Sequence, residues 1–205
     1  MAPTREGLVT SGDRSVASGE PADGRTAGPH RVELTHVLPL GAERAFALVA
    51  DVRTHPRWVP LSRGVFHGPE GSPVPATAWR PGVGAEFTMV SGPFAPQGAP
   101  GFPDRMRITR WEPPGGEGRA GRATYLKLGP ALLGEAGIVV VPLAGHHLPA
   151  AAAHEPVARC AVTWWEDVYL AGPLPRAVTA PFAARVLDLM IRLSLRRLDT
   201  MVARG

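Results

Sequence analysis

The sequence predicts an α+β domain in which one long C-terminal helix follows a run of strands. Three observations carry this. A short alternating stretch near residue 30 is followed by two brief helical stretches. Six further strand-like runs follow, separated by Pro and Gly. The chain then closes with an uninterrupted amphipathic run over 181–203. Strands and helices grouped in blocks, rather than alternating one for one, mark the α+β class.

A chain of 205 residues favours one domain, since a domain usually takes ~100–200. Apolar residues make up 44%, near the ~45–50% of globular chains, so a core can form. The 24 glycines and 23 prolines predict long irregular loops. Residues 1–29 read as a disordered N-terminal tail, with only Leu8, Val9 and Val16 as larger aliphatics. Such a segment buries too little surface to offset its ordering entropy. The folded domain is therefore assigned to 30–205. Cys160 is the single cysteine, which excludes an intramolecular disulfide and a multi-cysteine zinc site. No apolar run is long enough to span a membrane, and the N-terminus lacks the apolar stretch of a signal peptide. We therefore expect a cytoplasmic protein. The 22 basic residues exceed the 18 acidic ones by a net charge of +4, and all but Lys127 are arginine. That field is weak for a phosphate-binding surface, so no nucleic-acid partner is assigned.

The elements follow in order. Val32, Leu34, His36 and Leu38 alternate with Arg31, Glu33, Thr35 and Val37, a strand signal. Ala42, Ala45, Phe46, Val49 and Ala50 repeat at helical spacing, predicting a helix over 41–50. A second turn over 53–59 contains His55, Pro56 and Trp58. Strands are expected at 62–67, 84–91, 104–112, 121–128, 135–143 and 157–170, making about seven in all. The longest link, 92–103, sets Phe94 and Phe102 among prolines. It reads equally as a lid or as a solvated loop with both rings tucked onto the body. On a wheel of about 100° per residue, Phe182, Val186, Leu187, Leu189, Met190, Ile191, Leu193, Leu198 and Met201 fill one broad arc of the last helix. Arg185, Asp188, Arg192, Arg196 and Asp199 fill the rest, while Arg197 falls inside the apolar arc.

This order carries "DVRTHPRWVP" after the first helix, "PGVGAEF" opening a strand, "DRMRITRWEPP" as the next strand and "VTWWEDVYL" before the long helix. Over residues 31–204 it resembles the SRPBCC superfamily, the START-like group that includes polyketide cyclase/dehydrase and lipid-transport proteins. The resemblance implies a helix-grip fold. A curved antiparallel sheet wraps the C-terminal helix, and a deep apolar cavity lies between them. It also implies a hydrophobic small-molecule ligand, lipid or polyketide-like. Cyclases of the superfamily use an arginine with hydroxyl or aromatic groups to fold and enolise a poly-β-keto chain. No local motif of this chain matches that machinery, so none of those residues is carried over.

No Gly-x-Ser-x-Gly elbow, phosphate loop or Gly-x-Gly-x-x-Gly after a strand is present. His146, His147 and His154 have poor metal spacing, and neither a metal nor a cofactor is assigned. The informative residues are polar ones on apolar faces. Glu166 shares a strand face with Cys160, Val162, Trp164 and Val168, where an unpartnered carboxylate is costly. It is either paired with an arginine or lines a wet cavity, and it is the candidate acid–base group, with an arginine or the Tyr125 hydroxyl as its companion. Arg197 either reaches that site or snorkels from the last helical turns. Met106, Ile108 and Arg110 share a face if strand 104–112 alternates regularly, though a one-residue slip would exchange the faces. The ligand-binding candidates are thus Trp58, Phe87, Met89, Met106, Ile108, Arg110, Trp164, Val186, Met190, Leu193 and Arg197. An alternative reading is a non-enzymatic protein-interaction or stress-related regulatory module. Its cavity would be closed, and its partner would dock at 92–103 and along Arg185, Arg192 and Arg196.

Overall fold

Alternation sets the first strand. In β1 (Val32–Leu38) the even-numbered residues turn inward and the odd ones face out. The computed structural model describes residues 30–116, 118–143 and 158–204. The segment assigned as a tail, 1–29, lies outside the described residues. So do His146, His147 and His154.

Two short helices, α1 (Ala42–Val49) and α2 (His55–Trp58), follow β1. The remaining strands are β2 (Ser62–His67), β3 (Pro73–Val74), β4 (Glu86–Ser91), β5 (Phe102–Glu112), β6 (Gly121–Gly129), β7 (Leu132–Leu143) and β8 (Arg159–Leu170), and the described chain ends with α3 (Arg176–Val202). All neighbouring strands pair antiparallel in one eight-stranded sheet of order β1-β8-β7-β6-β5-β4-β2-β3. This is the helix-grip arrangement. The eighth strand, β3, is a two-residue edge strand, too short to leave an alternation signal.

Two boundaries differ from the sequence expectation for physical reasons. β7 begins at Leu132 rather than 135, running through Gly134 at φ +121°. A Cβ at Gly134 would sit 2.2 Å from the Asp167 carbonyl oxygen, so only glycine continues the strand there. α3 begins at Arg176 rather than 181, with Pro181 inside it. The first turn closes upstream of the proline, where the Pro175 carbonyl accepts from the Val178 and Thr179 N–H groups.

α3 packs on β8 and β1 through one face only. Ala180, Ala183, Ile191, Leu195 and Leu198 are buried there, and Asp199 meets His36 of β1 at 2.6 Å. On the opposite face Val178, Phe182, Val186, Leu189 and Leu193 are exposed. The broad apolar arc is therefore two stripes, one covered by the sheet and one facing solvent. Phe94 and Phe102 are also exposed, so neither ring tucks onto the body.

β5 departs from regular alternation. Its pairing with β6 shifts between Ile108 and Arg110. Such a bulge re-aims the side chains beyond it. Arg110 consequently leaves the inner face and pairs with Glu112 at 2.8 Å, while Trp111 turns in to meet Phe46 edge-on at 5.1 Å.

The sheet predicts that Gly134→Ala destabilises the protein by about 2 kcal/mol or more, because alanine meets both positive φ and a backbone oxygen. Urea unfolding checks this, and an unchanged midpoint contradicts it.

Candidate functional site

The inward faces of β4 to β8 converge with α2 and α3 on one cavity of about 70 Å³. Phe87, Met89, Met106, Ala136, Ile138, Trp164 and Met190 supply its apolar wall, and Asp104, Lys127, Glu166, Tyr125, His55, Ser62 and Ser91 supply polar groups. The pairing explains the convergence. Met89 stands opposite Asp104, Met106 opposite Lys127, and Lys127 opposite Gly134. Ala136 stands opposite both Tyr125 and Glu166. Because β7 offers no side chain at Gly134, nothing from that strand stands beside Lys127.

Lys127 is the centre. Its side chain is 2% exposed, and Nζ lies 2.5 Å from Asp104 Oδ2 and 3.3 Å from Glu166 Oε2. Glu166 Oε1 accepts a hydrogen bond from Trp164 Nε1 at 3.2 Å. Glu166 Oε2, despite its nearness to the ammonium, accepts no well-aligned hydrogen bond among the described residues, and neither does Asp104 Oδ1. Burial works against the Lys127 ammonium, but Asp104 and Glu166 outweigh it, so its pKa lies above the ordinary lysine value. Burial raises the Glu166 pKa and Asp104 adds to this, while Lys127 opposes it. Two carboxylates sharing one ammonium favour retention of a proton on one of them.

The neighbouring groups are neutral. His55 Nε2 donates to the Val49 carbonyl at 2.8 Å, and burial lowers its pKa to about 4. Tyr125 donates its hydroxyl to the Ala50 carbonyl at 2.8 Å, and burial, with Asp51 nearby, raises its pKa. That phenol is committed to the end of α1, which removes it as the acid–base companion of Glu166.

The sequence-derived candidates separate cleanly. Phe87, Met89, Met106, Trp164, Met190, Tyr125 and Glu166 line the cavity. Trp58 and Ile108 are fully buried in the core behind it, with Trp58 edge-on to Trp164 at 5.6 Å. Arg110, Val186, Leu193 and Arg197 do not reach it. The bulge turns Arg110 outward, and the other three lie on exposed positions of α3. The partner of Glu166 is a lysine and not an arginine. Sequence reasoning missed Lys127, Asp104 and His55. The signal for Lys127 was its place two residues after Tyr125, on the face shared with buried Ala123.

A larger groove of about 740 Å³ lies open on the surface between 67–71 and 78–86. Of its two carboxylates, Glu70 and Glu86, Glu86 is held by Arg107 at 2.6 Å and Arg105 at 2.7 Å. Those pairs satisfy Glu86, and His67 Nδ1 is the groove-lining atom left buried without a partner among the described residues, whereas the cavity gathers a buried ammonium and two carboxylates at one point. On that ground the cavity is the candidate site.

Residues 29–203 match the family described as polyketide cyclase / dehydrase and lipid transport. The chain belongs to that family. No curated protein matches the sequence. Among solved structures, similarity extends to an uncharacterised Bacillus thuringiensis protein at TM-score 0.51 and 12% identity, over 84% of this chain and 98% of that one. XoxI of Bacillus cereus is similar at TM-score 0.50 and 12% identity, over 84% and 95%. A Thermus thermophilus protein is similar at TM-score 0.50 and 14% identity, over 85% and 97%. At these identities the likeness concerns the fold alone. The family match and the helix-grip arrangement support a ligand-binding fold. No helix among the described residues is long and apolar enough to cross a membrane.

His55 sets a pH dependence. Unfolded, it titrates near 6.5, and folded near 4. Between those values the unfolded chain binds more protons, so stability is full above the upper value and falls as pH drops toward the lower one. The total loss is roughly 3 kcal/mol. His55→Gln, which keeps a donor for Val49, should flatten the pH profile of urea unfolding relative to the wild type. An equally steep profile contradicts the assignment.

Proposed function

We propose that the protein binds a hydrophobic small molecule between the sheet and α3, with Lys127, Asp104 and Glu166 at its polar end. One observation carries this. Three ionisable groups sit together in an apolar wall, and Asp104 Oδ1 is buried without a hydrogen-bond partner among the described residues. Buried charge clusters rarely stabilise a fold more than apolar residues of equal volume do, so their retention points to a ligand.

At about 70 Å³ the cavity is smaller than the ~300–1,000 Å³ of most ligand sites. Binding therefore goes with repacking of its wall. Met89, Met106 and Met190 are suited to this, since unbranched thioether chains adapt to irregular shapes at low cost. The same groups support an acid–base role of the kind the family name describes. Glu166, whose pKa is raised, would give its proton to a carbonyl oxygen of a β-keto chain as an enol forms. Asp104 would take the proton lost from the carbon between the carbonyls. Turnover of a β-keto substrate should then vanish in Glu166→Gln, and unchanged turnover would rule Glu166 out.

The binding reading is tested with the apolar fluorophore 1-N-phenylnaphthylamine. Saturable enhancement is expected with the wild type. Met190→Trp, which fills the cavity, should weaken it about tenfold or more at unchanged circular dichroism. Absence of saturable binding, or equal affinity in the filled variant, contradicts the proposal.

A further inference from the structure

We infer that the polar end of the ligand carries a hydrogen-bond donor for Asp104, a hydroxyl or protonated amine, and that carboxylate ligands such as fatty acids are excluded. The inference rests on the cavity reading above and concerns which chemistry that site accepts.

Most donors of the cavity wall are already engaged. His55 Nε2 is spent on the Val49 carbonyl, Tyr125 on the Ala50 carbonyl, and Ser62 on the Val59 carbonyl at 2.9 Å. Trp164 Nε1 is spent on Glu166 Oε1. Lys127, the one cation among the cavity-lining residues, faces both carboxylates and keeps a single further proton. The Ser91 hydroxyl is the remaining side-chain donor. Against these, Asp104 Oδ1 is buried without a hydrogen-bond partner among the described residues, and Glu166 Oε2 has only its ion pair with the Lys127 ammonium at 3.3 Å. The wall thus offers an open acceptor and few open donors, and its carboxylates outnumber its ammonium two to one.

A ligand hydroxyl or ammonium satisfies Asp104 Oδ1 and removes the penalty of an unpaired buried oxygen. A ligand carboxylate brings a third negative group to a desolvated site with one cation already engaged, where like charges repel strongly. A proton on Glu166 leaves the conclusion standing. The cluster is then neutral and Glu166 gains one O–H donor, but Asp104 Oδ1 still accepts, and a buried anion still lacks a cation of its own.

The test uses four probes sharing one ring: toluene, benzyl alcohol, benzylamine and benzoate, titrated calorimetrically into the full chain at pH 7. Benzyl alcohol and benzylamine should each bind at least about tenfold tighter than benzoate, and tighter than toluene. Asp104→Asn should narrow the alcohol-to-benzoate ratio. The wild-type series decides the matter even if that variant fails to fold. Benzoate binding as tightly as the alcohol, or toluene as tightly as both donors, overturns the inference while leaving the cavity reading intact. Failure of all four probes to bind overturns both.

Discussion

The ammonium of Lys127 ties three strands together. It projects from β6 between a carboxylate of β5 and one of β8, and all three groups lie within an apolar enclosure. A charge removed from water requires partners at short range, and removing one partner from such a cluster costs about 3–5 kcal/mol. The geometry around it follows from that requirement. The pairing of β5 with β6 must bring residues 104–106 beside Lys127, and β7 must pass between β6 and β8 without intruding. Gly134 meets the second condition. It stands opposite both Lys127 and Val168, where a Cβ would strike the Asp167 carbonyl.

Around this cluster the wall divides by mechanical character. Behind it, Trp58, Ile108 and Ile138 are fixed in the core, and the rings of Trp58, Trp164, Phe87 and Tyr125 meet edge-on. Met89 of β4 and Met106 of β5 flank the charged cluster within the sheet, and Met190 faces it from α3. Met190 is the residue through which α3 reaches the cavity. A fixed polar cluster among adaptable methionine side chains fits the recognition of one functional group on molecules of varying shape.

The fold was readable because each element leaves a local signal. Alternation in β1 and the continuous run before residue 203 need no tertiary information. Glu166 was readable for a related reason, since a carboxylate in line with Val162 and Val168 conflicts with its own strand. Lys127 and Asp104 were harder. Their meaning depends on one another across 23 residues and an intervening turn, and alternation within one strand does not report register between two. Arg110 was misplaced by the bulge at Ile108, which inserts a residue into the pattern that alternation assumes regular. Val186, Leu193 and Arg197 were misplaced for another reason. A wheel identifies an apolar arc, but the sheet covers one side of the helix, and the small side chains of Ala180 and Ala183 mark that side.

The most direct test separates a cluster kept for a ligand from one kept for the fold. The triple variant Lys127→Met, Asp104→Leu, Glu166→Leu replaces all three charges with apolar groups, so no charge is stranded. If the cluster serves a ligand, the variant unfolds in urea at the same midpoint as the wild type or a higher one. It also loses the preference for benzyl alcohol over toluene. A loss of about 3 kcal/mol or more, or a retained preference for the alcohol, would contradict the account.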